Sequence, residues 1–464
     1  RGGVQVRLAG WQAACVPLLA VGWLLPGSGV GLYLRLAFAT MVVLLPGAAL
    51  ARALRTPGLS GVLAWTCGSL FAALAITFAV HGSLWLALGL HLGAGAVALP
   101  FAARAELRGP RPGAAVVVDA DGLPVREDDE DAPEESGSWR PRAAGLVLLL
   151  GVVFGMLLWK VAGVIDGDAL FHLARVRKLD AFGGLTLRTL DEFRDGGLHP
   201  GYAFPLWHGF LALVAKLAAV DPALVVHHEA SILAPIAFAV AYEAGVAVFR
   251  SAAAGFAALC GSLAIATLAA GHGGSFTSLA LPGTASRQLM VPAATALFFL
   301  AVRRPRWQLW AALVAASLGI SLSHPTYTLF LLVPLGGFWV ARAVLARGED
   351  LRSGAAALAA LGVPWVLVTL WLLPIVRSTV SHEPDAVEKQ RALAKYAGQL
   401  DVSSLTSYHL APELIARTGV VAVIALAGIP LAVLAARRRW AAFVLGGSVA
   451  VLLLMLVPQL FTVF

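Results

Sequence analysis

Two aspartates, a histidine and an arginine stand at helical spacing directly after a hydrophobic stretch, in the segment VIDGDALFHLARVRKL (residues 164–179). Asp168, His172 and Arg175 follow one another at i, i+4 and i+7, which places them on one stripe of a helix. We expect Asp166 to cap this helix and the helix to begin at the next residue. A carboxylate can accept a proton from a hydroxyl group, and nearby cations stabilise a departing phosphate. The segment therefore predicts acid–base chemistry beside phosphate groups.

The rest of the chain is far more apolar than a soluble domain. Hydrophobic residues make up 59% of the 464 residues and charged residues only 13%. Because the hydrocarbon core of a bilayer requires about 20 apolar residues per helix, the sequence predicts an all-α polytopic membrane protein with about thirteen transmembrane helices and external amphipathic helices beside the membrane. The predicted spans lie near residues 10–25, 31–51, 60–80, 83–102, 143–163, 225–249, 252–270, 286–302, 307–323, 325–345, 355–375, 415–436 and 440–460.

One further apolar segment, at residues 204–220, is short for a span, and we interpret it as an interfacial or re-entrant helix. If it does not cross, the arginine-rich loops all face the same side, which the positive-inside rule makes the cytoplasm. These loops lie near residues 52–55, 104–142, 250, 303–306, 342–352 and 437–439. The opposite, external side then receives the loops at residues 164–224, 271–287 and 376–414. We expect the helix after Asp166 to lie on the outer membrane surface, with Arg175 at the depth of the lipid phosphates. We therefore expect a multi-pass protein of the cell membrane with an external site.

An acidic segment divides the chain into three parts. Residues 119–135 contain nine acidic residues and one basic residue, with proline and glycine and little that could pack. This composition predicts a flexible cytoplasmic linker over residues 103–142, after a four-helix membrane segment (1–102) and before a membrane core (143–464). The net charge of +8 comes from basic residues dispersed over short loops beside the membrane, which favours lipid contact and disfavours nucleic-acid binding.

Polar residues that could contact a substrate concentrate on the predicted external side. Nine of the eleven histidines fall there or at the outer edge of a span. Arg287 ends a glycine- and serine-rich loop, and Arg377 begins the last external loop, in which a short helix is expected between Pro384 and Ala397. The predicted substrate-binding residues are His172, Asp191, Glu192, His199, His324 and Tyr327, and the candidates for holding a phosphate are Arg175, Arg287 and Arg377. The chain begins without methionine and ends within the apolar VPQLFTVF, so we expect the natural protein to be longer.

Residues 143–250 resemble part of the GT-C superfamily of membrane glycosyltransferases, which includes protein mannosyltransferases, lipid A aminoarabinose transferases, arabinofuranosyltransferases and oligosaccharyltransferases. Those proteins place an essential acid directly after a span, followed by an amphipathic helix, a turn with proline and a second interfacial helix. Here the order is a span, DGDALFHLARVRKL, LDEFRDGGLHPGYAFPLWHGF and a further span. A second acid, where the family needs one, would be Asp191, Glu192 or Asp195. The Lys-Pro-Pro element of some branches is replaced by Leu198-His199-Pro200-Gly201.

The resemblance implies an inverting transferase with Asp168 or Asp166 as the catalytic acid. It would move a sugar from a polyprenyl phosphate to a glycan, lipid or protein acceptor of the cell envelope. Some members of the superfamily bind a divalent cation in this loop, and Asp166 and Asp168 would supply oxygen ligands to Mg²⁺ or Mn²⁺. Two other functions remain open. One is an O-antigen-ligase-like transferase that uses a lipid-diphosphate glycan and depends on Arg287 and Arg377, and the other is a lipid or solute transporter.

Overall fold

A computed structural model describes the chain at residues 14, 16–107, 139–161, 165, 167–191, 196–268, 276–346, 350–379, 384–417 and 419–462. The first part of the chain forms helices α1 Gly29–Ala53, α2 Gly58–Ala79, α3 Leu84–Leu107, α4 Trp139–Val161, α5 Asp168–Ala181, α6 Leu187–Leu190, α7 Leu206–Ala218, α8 Pro222–Phe249 and α9 Ala252–Leu268. The second part forms α10 Pro282–Ala285, α11 Val291–Arg303, α12 Trp307–Ser323, α13 Pro325–Leu345, α14 Leu351–Thr379, α15 Ala386–Lys395, α16 Pro412–Arg417, α17 Val420–Leu431, α18 Arg439–Ala442, α19 Ser448–Leu456 and α20 Pro458–Phe461.

Short 3₁₀ and π-helical turns join some of these helices into longer ones. The 3₁₀ turns are Phe276–Ser278 and Ala432–Ala435, and the π turns are Ser286–Met290 and Phe443–Gly447. Strands β1 Leu400–Ser404 and β2 Ser407–Leu410 form an antiparallel hairpin, which the sequence analysis did not predict. Helix α15 is the short helix expected after Pro384, and Asp385 caps it by accepting a hydrogen bond from Glu388 N at 2.8 Å.

Nine helical stretches in the described residues are long and apolar enough to cross a membrane. They are Gly29–Ala53, Gly58–Ala79, Leu84–Arg104, Ala143–Val161, Pro222–Phe249, Pro282–Arg303, Pro325–Leu345, Leu351–Thr379 and Arg439–Leu456. Four shorter apolar helices lie at Leu206–Ala218, Ala252–Ala266, Trp307–Ser323 and Ala422–Ala435. The predicted helical, polytopic membrane architecture agrees with these helices, but the predicted number of thirteen spans is not confirmed. Residues 16–22 of the first predicted span are helical, whereas residues 1–13, and residues 108–138 of the predicted linker, lie outside the described part.

The N-terminal helices pack directly against the helices that follow the acidic segment. Helix α2 lies against α11 and α12, and α1 lies against α7. Glu243 of α8 accepts hydrogen bonds from Leu59 N (2.8 Å), Ser60 N (2.9 Å) and Ser60 Oγ (2.6 Å). It thus satisfies amide groups that the first turn of α2 would otherwise leave without a partner. A Cβ atom added to Gly58 would lie 2.5 Å from the Glu243 carboxylate, so the close approach depends on glycine.

Helix α7 is enclosed by protein on all sides. Its 13 residues extend over about 20 Å, which is too short to cross a hydrocarbon core of about 30 Å. Every residue of the helix except Lys216 is buried, so α7 is not a helix that lies on the membrane surface. Two indole groups hold its ends: Trp207 Nε1 donates to Ala280 O at 2.7 Å, and Trp23 Nε1 donates to Leu217 O at 2.6 Å. Of the two predicted arrangements, this enclosure favours the re-entrant one.

We expect Glu243→Ala to lower the free energy of unfolding by about 1–3 kcal/mol, because three donors lose their buried acceptor. Thermal unfolding of the purified protein in detergent measures the change. Glu413→Ala, at an exposed position of α16, is the control and should leave the unfolding temperature unchanged. Equal unfolding temperatures for wild type and Glu243→Ala would contradict the role assigned to this carboxylate.

Candidate active site around Asp168

The amphipathic helix α5 begins at Asp168, one residue later than predicted. Gly167 is its N-cap residue, with φ +51°, and no side chain caps the helix there. A positive φ is readily accessible only to glycine, so the backbone turns into the helix at this residue. The predicted cap, Asp166, lies outside the described residues. Asp168 is therefore the acid whose position can be analysed, in the first turn of α5, where the helix dipole favours a negative charge.

The polar stripe of α5 is present, but most of it faces the protein interior. Asp168 Oδ2 lies 3.3 Å from His172 Nε2, and the exposed fraction is 76% for the Asp168 side chain and 1% for that of His172. Arg175 is buried as well, whereas Leu170 on the other face is 54% exposed. The expected surface orientation, with Arg175 at lipid phosphates, is therefore wrong, since only the first residue of the stripe is accessible.

A second histidine extends the contact between Asp168 and His172 into the protein interior. Its Nδ1 atom lies 2.9 Å from His208 Nε2 on α7, and His208 is also buried. Burial lowers the pKa of His172 to about 4 and the pKa of His208 well below its usual value. Both imidazoles are therefore neutral at pH 7, and each has one N–H donor and one acceptor nitrogen.

Helices α5 and α7 run in the same direction. A second pair of polar contacts joins them eight residues further along each helix, where Lys216 Nζ contacts Asp180 Oδ1 at 3.0 Å and donates to Asp180 O at 3.1 Å. Together with the pair of histidines, these contacts fix the register of the two helices. The position of Asp168 is thus tied to a helix that is buried among the membrane helices.

Arg175 and Asp191 form a buried ion pair that holds the loop after α6. Arg175 Nη1 lies 2.8 Å from Asp191 Oδ1, with exposed fractions of 2% and 0%. The same guanidinium donates to Tyr202 O at 2.6 Å, and His199 N donates to Asp191 Oδ2 at 2.6 Å. The prediction that Arg175 holds a donor phosphate is not supported by this geometry, because its charge is already compensated within the protein. Asp191 likewise acts here as a scaffold residue that fixes Tyr202 and His199.

Five rings form what we call the aromatic collar: Phe171, His199, Tyr202, His324 and Tyr327. Neighbouring ring centroids lie 4.8–5.8 Å apart along the path Phe171–His199–Tyr202–His324–Tyr327. The Asp168 carboxylate interacts electrostatically with His199, Tyr202 and His324, so it lies near these three rings of the collar. A Cβ atom on Gly283 would lie 3.5 Å from His324, which places the start of α10 beside the same rings.

The collar carries no charge of its own at neutral pH. Burial is the main cause that lowers the pKa of His199 and of His324, and it raises the pKa of Tyr202 to about 12. Neutral imidazole and phenol groups donate and accept hydrogen bonds, and aromatic faces pack against apolar surfaces such as the C–H faces of a sugar ring. Together with Asp168, the collar therefore offers one exposed carboxylate beside uncharged, partly buried rings.

The structure brings together five of the predicted site residues that it describes, namely Asp168, His172, His199, His324 and Tyr327, with Asp191 directly behind them. Phe171, Tyr202 and His208 were not among the predicted site residues. The sequence signal for His208 was its place among the outer-edge histidines, and the signal for Tyr202 was its place two residues after Pro200 in the external loop. Glu192, like Asp166, lies outside the described residues.

The two other predicted phosphate ligands lie on other helices. Arg287 is partly buried on the π turn Ser286–Met290, one helical turn beyond Gly283. Interruptions of this kind in a helix are frequent at functional sites. Arg377 is exposed in the last turn of α14, and within the described chain it has no ion pair or hydrogen bond with Asp168 or the collar.

The predicted metal site cannot be assembled from the residues whose positions are known. Among them, no three histidine, cysteine, aspartate or glutamate side chains are arranged to hold a metal ion. The remaining oxygen ligand of the predicted site, Asp166, falls outside that part of the chain. Binding of Mg²⁺ or Mn²⁺ by Asp166 and Asp168 therefore stays a prediction.

Arg175→Met should destabilise the protein by about 3–5 kcal/mol, because the substitution leaves Asp191 buried without its counter-charge. Arg177→Met on the same helix is the matched control. Its partner Asp221 is exposed, with exposed fractions of 53% and 56% for the pair, so the cost should stay below about 1 kcal/mol. The double variant Arg175→Met/Asp191→Leu should recover most of the loss in chemical unfolding. Unchanged stability of Arg175→Met would show that the guanidinium does not serve as a scaffold.

Acid should destabilise the site. The pKa of His172 is about 4 in the folded protein, whereas its ordinary value, which we assign to the unfolded chain, is 6.5. The neutral imidazole therefore makes its full contribution to the free energy of unfolding above pH 6.5. Between pH 6.5 and 4 only the unfolded chain binds the proton, so the free energy of unfolding falls by at most about 3 kcal/mol over this range. Measured across this range, the unfolding temperature of wild type should fall more steeply than that of His172→Gln. Parallel pH profiles would contradict the assigned burial of a neutral imidazole.

Comparison with known protein families identifies the family of this chain. No curated protein and no solved structure matches the sequence. The sequence model of a family described as DUF6541, family of unknown function, matches residues 40–462. This range contains the whole candidate site and every helix from α2 to α20. The chain therefore belongs to the DUF6541 family.

Proposed function

We propose that the protein is a membrane glycosyltransferase that transfers a sugar from a polyprenyl-phosphate donor, with Asp168 as the general base. The observation that carries the proposal is the accessible carboxylate of Asp168, which lies 3.3 Å from the buried His172 and beside the aromatic collar. A base must be accessible to the substrate and fixed in position. The collar supplies ring faces and neutral hydrogen-bonding groups of the kind that sugars need.

The reaction requires one proton transfer and one substitution at carbon. The acceptor hydroxyl loses its proton to the Asp168 carboxylate as its oxygen forms a bond to the anomeric carbon of the donor sugar. The bond between that carbon and the phosphate oxygen breaks, and its electron pair leaves with polyprenyl phosphate. Attack from the side opposite the phosphate inverts the configuration. Because Asp168 is exposed, it can release the proton to water after transfer.

The site would lie on the external face of the cell membrane. Arg303 and Arg342 belong to loops predicted to be cytoplasmic, and they lie at the ends of α11 and α13 that are far from Gly283 and His324, which supports this orientation. The polyprenyl chain of the donor would remain among membrane lipids while its sugar reaches the collar. Arg287, one turn from Gly283, is the nearest candidate to contact the phosphate. The acceptor would be a glycan, lipid or protein of the cell envelope.

Two alternative functions would depend on other residues. A ligase that uses a lipid-diphosphate glycan would need cations at the diphosphate, and Arg287 and Arg377 would matter more than Asp168. A lipid or solute transporter would use charges between its helices, and the accessible position of Asp168 at the end of the helices favours a transferase instead.

Asp168→Asn should reduce sugar transfer by about 10²- to 10⁴-fold, because the amide cannot accept the proton. The assay uses purified protein in lipid nanodiscs, radiolabelled mannosyl and arabinosyl polyprenyl phosphates, and a cell-envelope extract as acceptor. Asp221→Asn, the same exchange at another exposed carboxylate, is the matched control and should keep most of the activity. Donor binding, measured separately, should persist in both variants.

Three results would contradict the proposal. Full sugar transfer by Asp168→Asn would show that Asp168 is not the general base. Transfer only from a lipid-diphosphate glycan, lost in Arg287→Ala and Arg377→Ala, would identify the ligase. Movement of labelled lipid or solute across vesicles without a covalent product would identify a transporter.

A further inference from the structure

The side chains of Asp168, His172 and His208 form a linear chain of hydrogen bonds from the surface into the interior. The first link, from Asp168 Oδ2 to His172 Nε2, is 3.3 Å long, and the second, from His172 Nδ1 to His208 Nε2, is 2.9 Å long. His208 comes from α7, a helix that carries no other residue of the site. We propose that His208 is a positioning residue, which donates to His172 Nδ1 and so holds the imidazole ring with its Nε2–H directed at the Asp168 carboxylate.

The direction of the hydrogen bonds follows from the chemistry of the three groups. An ionised carboxylate only accepts hydrogen bonds, so His172 must carry its proton on Nε2. In a neutral imidazole the other nitrogen, Nδ1, is then an acceptor. The partner nitrogen, His208 Nε2, must therefore carry a proton and donate. The carboxylate thus sets the tautomer of His172, and the N–H of His208 satisfies the buried Nδ1 lone pair that this tautomer leaves, which fixes the orientation of the imidazole ring.

Charged and titratable neighbours act on this chain from every side. Arg175 on α5 faces both histidines, His199 from the loop faces both as well, and Asp191 lies behind Arg175. Tyr202 packs edge-on against His172 at 5.0 Å and against His208 at 5.9 Å. His324, at the start of α13, is in electrostatic reach of Asp168. Burial, and to a smaller degree the Arg175 guanidinium, disfavour a positive imidazolium, which keeps His172 and His208 neutral.

The histidines position the carboxylate but do not take its proton. Because His172 Nε2 already carries a proton when Asp168 is ionised, it cannot accept another one from Asp168 after the transfer step. The inference therefore rests on the proposed function only in assigning Asp168 as the base. The tautomer of His172 is a property of the protein itself and is measurable without any substrate.

Two substitutions of His208 separate hydrogen bonding from packing. In His208→Gln the amide nitrogen lies near the position of Nε2 and can still donate to His172 Nδ1. In His208→Leu the donor is lost while the volume remains similar, so the buried Nδ1 of His172 has no partner. The imidazole ring can then turn away from the orientation that directs Nε2–H at the carboxylate. His227→Leu, another histidine at the outer edge of a span, is the control.

The experiment combines ¹⁵N NMR of histidine-labelled protein with transfer kinetics. We expect His172 to carry its proton on Nε2 in all four proteins. The ¹⁵N resonance of His172 Nδ1 should have the shift of a hydrogen-bonded acceptor in wild type, His227→Leu and His208→Gln, and should move to the shift of an acceptor without a donor in His208→Leu. We also expect kcat to fall at least about tenfold in His208→Leu, with KM for the donor unchanged and with recovery in His208→Gln.

The outcomes for the inference and for the proposed function are distinguishable. A proton on Nδ1 of His172 in wild type, or equal kcat values for His208→Leu and wild type, would overturn the positioning role. An equal loss of kcat in His208→Gln and His208→Leu would also overturn it, because packing would then be the cause. The expected tautomers without any sugar transfer by wild type would support the hydrogen-bond chain and reject the glycosyltransferase.

Discussion

The hydrogen bond between His172 and His208 is the contact on which the site depends. It joins the amphipathic helix α5, whose first residue is accessible, to α7, which is buried. A helix of 13 residues that cannot span a bilayer is stable among apolar helices only when its surroundings enclose it and satisfy its polar groups. The histidine pair and the Lys216–Asp180 contacts do this for α7 and at the same time fix α5 on it.

The polar groups behind the collar are arranged so that very little charge is left unbalanced. Arg175 and Asp191 are both buried, and each is costly without the other. Their pairing, extended to Tyr202 O and His199 N, holds the loop that brings two rings of the collar beside α5. The histidines remain neutral because they are buried. Asp168 is thus the accessible charge among groups that are paired or uncharged, which makes it the chemically distinct member of the cluster.

Much of the fold was predictable because hydrophobicity alone specifies membrane helices. The helices expected at 307–323 and 325–345 begin and end at the same residues as α12 and α13, since Pro325 fits the first turn of a helix, where no amide hydrogen is needed. The small hairpin at Leu400–Leu410 was missed because its strands are short and largely exposed, which leaves no alternating apolar pattern. The number of spans could not be predicted from composition, because short apolar helices such as α7 have the same composition as helices that cross the membrane.

The site was predictable in its members but not in its geometry. The spacing of Asp168 and His172 indicated a contact within one helix, which is found. The spacing could not indicate that His172 and Arg175 point inward, because that depends on α7 and on the loop after α6. Arg175 was expected at the membrane surface because its charge suggests solvent or phosphate. Its counter-charge, Asp191, lies 16 residues further on, and only the folded loop brings the two together.

A structure of the protein with a bound polyprenyl-phosphate sugar would test the central claim most directly. We predict that the sugar lies against the aromatic collar, with the face of its anomeric carbon opposite the phosphate turned toward Asp168, and with room for an acceptor hydroxyl within hydrogen-bonding distance of the carboxylate. A sugar bound away from the collar, or one whose phosphate occupies the position next to Asp168, would contradict the account.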